Sequence, residues 1–178
     1  AAVGCDAIIH LAARVGVVGS EADFVSTNVG GTRNVLTAAK ENQIGRIVHV
    51  SSPSVAHDGG AIIGAGAHQP TTGRSRAWYA ESKALAEIEA LAASSLSIGV
   101  VAVRPHLVWG PGDTQLVGRI VERARQGRLA LVGGGSALVD STYIDNAVEA
   151  LVATVDRIAP EANCAGRAYV IANGEPRP

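Results

Sequence analysis

Apolar runs of strand length alternate along this chain with longer segments of helical period, and that alternation constrains its fold more than anything else. Residues 6–11 (DAIIHL), 46–52 (RIVHVSS) and 99–104 (GVVAVR) are mostly apolar and end in small residues, serines or a proline, as buried parallel strands do. Between the first two, residues 21–42 place Val25, Val29, Val35, Leu36 and Ala39 on one helical face, with Gly30-Gly31 a weak point in the middle. Residues 78–95 are rich in Ala, Leu, Glu and Lys, all strong helix formers. Strand–helix–strand–helix–strand predicts an α/β fold with a doubly wound parallel sheet and right-handed crossovers.

The rest of the chain is less regular. Residues 53–75 are Gly-, Ala- and Pro-rich without a period, a loop long enough to point to function. Residues 114–126 predict an amphipathic helix with Leu116, Val117, Ile120, Val121 and Ala124 on one side. Short strands are expected at 129–132 and 141–144. Asp145 is expected to cap a helix with Val148, Leu151, Val152 and Val155 on its apolar face. A last strand is expected at 168–172, before a polar tail.

Composition narrows the function classes. Of 178 residues 47% are apolar and 17% charged, which describes one globular domain with, at most, a small lobe. Net charge is −1 and no two Lys or Arg residues are adjacent, so a basic nucleic-acid footprint is absent. No apolar run has the length of a membrane span. Cys5 and Cys164 lack metal-binding or redox spacing, and the expectation is two buried thiols in a reducing cytoplasm. His10, His49, His57, His68 and His106 have no mutual spacing for a metal, so no metal site is expected. The chain contains no Met, and it is expected to be a piece of a longer polypeptide.

In a doubly wound sheet ligands sit beyond the carboxyl ends of the strands, here Ala12-Ala13, Ser51-Ser52 and Pro105-His106. Tyr79 and Lys83 are four apart on a predicted helix and share a face. An ammonium beside a phenol stabilises the phenolate and makes it a usable acid–base group at neutral pH. A strand-end hydroxyl at Ser51 or Ser52 can hydrogen-bond a developing alkoxide. Asn28, polar within an apolar helix, requires a buried partner or a solvent-facing position. An isolated Tyr-x-x-x-Lys is equally well an exposed pair; its order relative to the others raises its weight.

His10-Leu11-Ala12-Ala13, Asn28-x-x-Gly31-Thr32, Ser51-Ser52-x-x-Val55, Tyr79-x-x-x-Lys83 and Arg104-Pro105-x-x-Val108-x-Gly110-Pro111 together resemble the extended short-chain dehydrogenase/reductases over nearly the whole chain. Ser51 to Val55, the stretch 104–117, Val139 to Asn146 and Asn173 to Pro176 are similar to the 3β-hydroxysteroid dehydrogenase-like branch. Within that branch they resemble sterol-4α-carboxylate 3-dehydrogenases and 2-alkyl-3-oxoalkanoate reductases. The resemblance implies a Rossmann-like sheet lacking its first βαβ unit, followed by a partial C-terminal substrate lobe. Residues 1–105 are expected to be the C-terminal part of the dinucleotide-binding domain. Residues 106–178 are expected to be a partial substrate region with elements that return to it.

The resemblance further implies NAD or NADP as cofactor and a small apolar 3-hydroxy or 3-oxo substrate, steroid-like or long-chain acyl. Tyr79 would exchange the proton, Lys83 would hold the nicotinamide ribose and lower the Tyr79 pKa, and Ser52 would bind the reacting oxygen, with Ser51 its competitor. Leu11, Ala12, Ala13, Thr27, Asn28, Pro105 and Val108 would lie along the cofactor. Trp78, Trp109 and His106 border the expected pocket, and the 53–75 loop is expected to cover part of it. The helices carrying Asn28 and Tyr79 imply a homodimer.

The family's Gly-x-x-Gly-x-x-Gly phosphate-binding turn is not in this sequence, nor is the residue that selects NAD or NADP. The 178 residues alone are therefore expected to bind dinucleotide weakly. A nucleotide-sugar epimerase uses the same Ser/Tyr/Lys set and is the alternative. Dehydratases place acidic residues beside the serine, where Pro53-Ser54 stand here. A non-catalytic dinucleotide sensor is a third reading, disfavoured because Tyr79 and Lys83 are both kept.

Overall fold

Four parallel strands form the main sheet of the computed structural model, which describes residues 2–178 apart from 17, 68, 69, 71, 73–76, 115 and 131. They are β1 (Ile8–His10), β2 (Arg46–Val50), β3 (Gly99–Pro105) and β6 (Arg167–Ile171), in the order β1-β2-β3-β6. Ile8 pairs with Ile47, Val48 with Val101 and Val103 with Tyr169, so all four carboxyl ends lie at one edge. This is the parallel α/β sheet the alternation predicts, and it is Rossmann-like as the resemblance implies.

Period two along the strands sends side chains to opposite faces, and each face has its own core. On one, Ile47 and Val100 pack with Ala39, Ile44 and Ala90 from the helical side. On the other, Val48, Val101 and Val103 pack with Ile158 and with Leu151 and Val155. Both faces are covered, which is why β3 is a continuous apolar run rather than an alternating one.

The predicted helix 21–42 is three segments in sequence: α1 (Glu21–Phe24), a π-helical stretch (Val25–Gly30) and α2 (Gly31–Glu41). Ser20 opens it with a capping box, its hydroxyl accepting from the Asp23 amide while the Asp23 carboxylate accepts from the Ser20 amide. The π segment falls where Gly30-Gly31 weaken the α-helical preference. Helix α3 (Trp78–Ala92) follows, three residues shorter than expected.

Beyond β3 several expectations are corrected. Strand β4 (Val108–Trp109) pairs in parallel with β5 (Thr142–Tyr143), only half of the expected 141–144 strand. Among the described residues no strand occupies 129–132. A 3₁₀ turn forms at Val132–Gly135, where Gly133 and Gly134 take φ of 59° and 70° and cannot extend a ladder. Helix α4 (Val117–Arg125) starts later than expected, where the Asp113 carboxylate accepts from the Leu116 and Val117 amides. Helix α5 (Ile144–Arg157) is not capped by Asp145. Its N-cap is Tyr143, and Asp145 lies in the first turn, near the helix's positive end. The side-chain oxygen of Asn173 instead accepts from the Tyr143 amide at 3.1 Å and from Asn146 at 3.0 Å. The cysteines also depart from expectation: Cys5 is exposed and Cys164 half-buried. Among the described residues no helix is long and apolar enough to cross a membrane, and no cluster of potential metal ligands forms.

Candidate active site

The carboxyl edge of the sheet gathers most of the residues singled out in the sequence. Leu11 and Ala12 are exposed at the end of β1, with Ala13 half-buried beside them. Ser51 and Ser52 follow directly on β2, and Pro105 ends β3. Ser52 then starts a 3₁₀ turn (Pro53–Ala56), where its hydroxyl accepts from the Ser54 amide and meets the Ser54 hydroxyl at 2.9 Å. The turn packs against α3, with Val55 buried, and brings Ser52 near enough to Tyr79 to draw its pKa down. Ser51, the competing hydroxyl, is buried, and its Oγ has no partner among the described residues.

Lys83 lies one turn further along α3 and is only 4% exposed. Its ammonium donates to the Val50 carbonyl at 2.6 Å, which leaves two N–H donors among the described contacts. Burial lowers its pKa from 10.5 to about 8, against the pull of Glu87. Tyr79 departs from the expectation. Burial pushes its pKa above 10, and the influence that opposes this is the Ser52 hydroxyl rather than Lys83. The ammonium points to the β2 backbone, and the phenol is desolvated between the 3₁₀ turn and α3.

Asn28, 2% exposed, has the buried partners its position requires. Its side-chain oxygen accepts from the Arg14 amide at 2.7 Å. Its amide group donates to the Arg14 carbonyl at 3.1 Å and to the Ser82 hydroxyl at 2.9 Å. Ser82 in turn donates to the Tyr79 carbonyl. The π turn that carries Asn28 thus ties the loop after β1 to the helix that carries Tyr79. Thr27, its neighbour, is exposed and belongs to no such network among the described residues.

Two buried histidines lie beneath Lys83. His10 Nε2 meets the Thr32 hydroxyl at 3.2 Å, and that hydroxyl donates to the Asn28 carbonyl. Neither ring nitrogen of His49 has a partner among the described residues. The rings stand 5.5 Å apart, and burial, then Lys83, lowers the pKa of each, His49 well below the usual histidine range. Both are therefore neutral near pH 7.

On the far side, Val108 is half-buried in the small β4–β5 sheet rather than on the main one. Leu107 before it has φ of 33°, a strained value for a leucine that sequence does not announce. Trp78 and Trp109 are about half-exposed and not core residues. Trp109 donates to Ser141 and stands edge-on to Tyr143. His106 is fixed by the Asp140 carbonyl. Of the 53–75 loop, residues 57–67 are mostly exposed, and 68, 69, 71 and 73–75, with His68 among them, lie outside the described residues. Sequence reasoning missed Ser82, Glu87 and a role for Arg104. The four-residue spacing of Tyr79, Lys83 and Glu87 is the signal that finds Glu87.

The residues fit a dinucleotide. Ala12 and Ala13 add only a methyl group to the backbone at the end of β1, and among the described residues Lys83 has donors to spare and the buried Ser51 Oγ has no partner. A serine and a tyrosine side by side near a buried lysine, at the carboxyl edge of a Rossmann-like sheet, is the architecture of extended short-chain dehydrogenase/reductases. The model of the 3-beta hydroxysteroid dehydrogenase/isomerase family matches residues 1–178, and the chain belongs to that family. A 2-alkyl-3-oxoalkanoate reductase of Stenotrophomonas maltophilia (strain K279a) is 50% identical over 180 residues, covering 100% of this chain and 54% of the relative. The decarboxylating sterol-4-alpha-carboxylate 3-dehydrogenase of Homo sapiens is 31% identical over 178 residues, covering 98% of this chain and 48% of its own. Among solved structures, a double mutant of DesIV (dTDP-glucose 4,6-dehydratase) from Streptomyces venezuelae with NAD and DAU bound has a TM-score of 0.76 at 28% identity. It covers 99% of this chain and 54% of that one. The chain spans about half the length of the curated relatives it matches.

Proposed function

We propose that this chain carries the acid–base part of an NAD(P)-dependent oxidoreductase that interconverts a hydroxyl and a ketone on an apolar 3-hydroxy or 3-oxo substrate. The single observation behind this is the placement of Ser52 and Tyr79 beside buried Lys83, at the edge where the sheet's strands end. The nicotinamide supplies or accepts the hydride when bound. In reduction the Ser52 hydroxyl donates to the substrate carbonyl, and Tyr79 gives its proton to the oxygen as negative charge develops there. In oxidation Tyr79 takes that proton back. Lys83 donates to the ribose hydroxyls, Leu11, Ala12, Ala13 and Thr27 flank the dinucleotide, and Pro105 and Val108 line the nicotinamide. Asn28 acts by fixing the loop and helix between which these groups sit. The names of the relatives support the 3-oxo substrate class, and the half-exposed Leu107 and Trp109 support its apolar character. In this reading residues 1–105 belong to the cofactor domain and 106–178 to the substrate region, and the helical stretch carrying Asn28, with α3, provides a homodimer face.

Tyr79→Phe in the complete polypeptide tests the assignment. It removes the transferable proton and keeps the ring, so reduction of long-chain 3-oxo acids or 3-oxosteroids should fall about 10²–10⁴-fold. Unchanged turnover would refute it. The likeness to a sugar-nucleotide dehydratase favours a second reading, action on a nucleotide sugar. Turnover of UDP- or dTDP-glucose with tightly held, non-exchanging NAD would select that one.

A further inference from the structure

The α3 face that carries Tyr79 and Lys83 continues to a third ionisable side chain. Glu87 follows Lys83 by four positions, one helical turn, and is completely buried. Arg104 on β3 grips its carboxylate with both arms of the guanidinium: Nε donates to Oε2 at 2.9 Å and Nη2 donates to Oε1. Such a buried pair is weak evidence for stabilisation, because the cost of desolvating two charges offsets their attraction. Its neighbour Lys83 gives it a different reason to be there. Among the described residues, Tyr79 and Glu87 stand one turn to either side of Lys83 on its own helix, His10 on β1 and His49 on β2 feel its charge, and Arg104 on β3 holds Glu87. Tyr79 and both histidines are neutral, and Arg104 is positive. Glu87 is the anion, among the described residues, that favours the charged lysine.

We propose that Glu87, clamped by Arg104, is a positioning residue that keeps the Lys83 ammonium charged in a site otherwise too dry to hold it. Arg104 occupies both carboxylate oxygens, so Glu87 attracts the ammonium through space without capturing it. The N–H donors of Lys83 stay available to Val50 and to a ligand. What the charge accomplishes rests on the proposed reaction; that Glu87 holds it is a property of the buried cluster alone.

The test is the titration of Lys83 in the complete polypeptide labelled with [6-¹³C]lysine. Its resonance is assigned by loss in Lys83→Arg. Glu87→Gln is the direct variant. Because it strands Arg104 as an unpaired buried charge, Glu87→Met/Arg104→Met, which removes both charges and keeps the volume, accompanies it. The Lys83 midpoint should fall by about one pH unit, a tenfold weaker hold on the proton. The alkaline limb of ketone reduction should move down with it. A purely structural clamp, replaced by packed methionines, would leave the midpoint in place, and an unmoved midpoint in the folded double variant overturns the inference. A lowered midpoint in a protein that reduces no ketone sinks the proposed reaction and leaves the inference standing.

Discussion

Asn28→Ala is the sharpest probe of how this site is held. The substitution deletes three hydrogen bonds, to the Arg14 amide, the Arg14 carbonyl and the Ser82 hydroxyl. They are not equal. Arg14 is exposed, so water replaces much of what its backbone loses, and each of those bonds contributes about 0.5 kcal/mol. Ser82 is 1% exposed and water does not reach it, so that bond contributes about 1–1.5 kcal/mol. Truncating a 2%-exposed side chain also leaves a small void, which brings the expected loss to about 2–3 kcal/mol. Urea unfolding of the complete polypeptide, followed by circular dichroism, measures it as a lower midpoint at unchanged slope. A double-mutant cycle with Ser82→Ala isolates the desolvated bond and should return about 1 kcal/mol of coupling. A total loss below about 0.5 kcal/mol, or a coupling near zero, would show that the π turn does not tie the β1 loop to α3 and would refute the reasoning.

Two further outcomes follow from packing and charge. Burial holds His49 well below its ordinary pKa of 6.5, so the folded state disfavours the protonated ring. The stability this gives is present above pH 6.5 and is lost as pH falls below it, by up to about 1.4 kcal/mol per pH unit. His49→Leu should flatten the dependence of the urea midpoint on pH between 6.5 and 5, and an unchanged slope would show that His49 is not the group responsible. Gly99→Ala should lower the thermal midpoint, because a Cβ there would meet the Ala159 carbonyl oxygen at 2.6 Å, a backbone atom that cannot step aside, at a cost of about 1–3 kcal/mol. A midpoint equal to that of the parent would mean that the segment after α5 relaxes freely.

Pattern alone carries the four strands of the main sheet, all expected from sequence, and the two long helical stretches, because most of them bury a face written in Val, Ile, Leu and Ala. It carries less where structure depends on a distant partner. Asn173 caps α5 from another part of the chain, so the local Asp145 misleads. The expected 129–132 strand gives way to three glycines, and among the described residues none of that range pairs with another strand. In the site, the order of Ser52, Tyr79 and Lys83 along alternating elements is legible. The desolvation that raises the Tyr79 pKa is not, because it depends on how closely the 3₁₀ turn after β2 packs on α3. The Glu87–Arg104 clamp likewise exists only once α3 lies across β3.

The pairing of β3 with β6 has a consequence for how the chain is made. β3 ends at Pro105, but its last neighbour is complete only at Ile171. At roughly 5–20 residues per second, ribosomal synthesis leaves that edge open for several seconds. Its interior, Val100 to Val103, is uncharged and rich in β-branched residues, the kind of segment that adds foreign strands. Premature release or slow translation between α4 and β6 should thus convert the most buried strand of the finished molecule into its most aggregation-prone one.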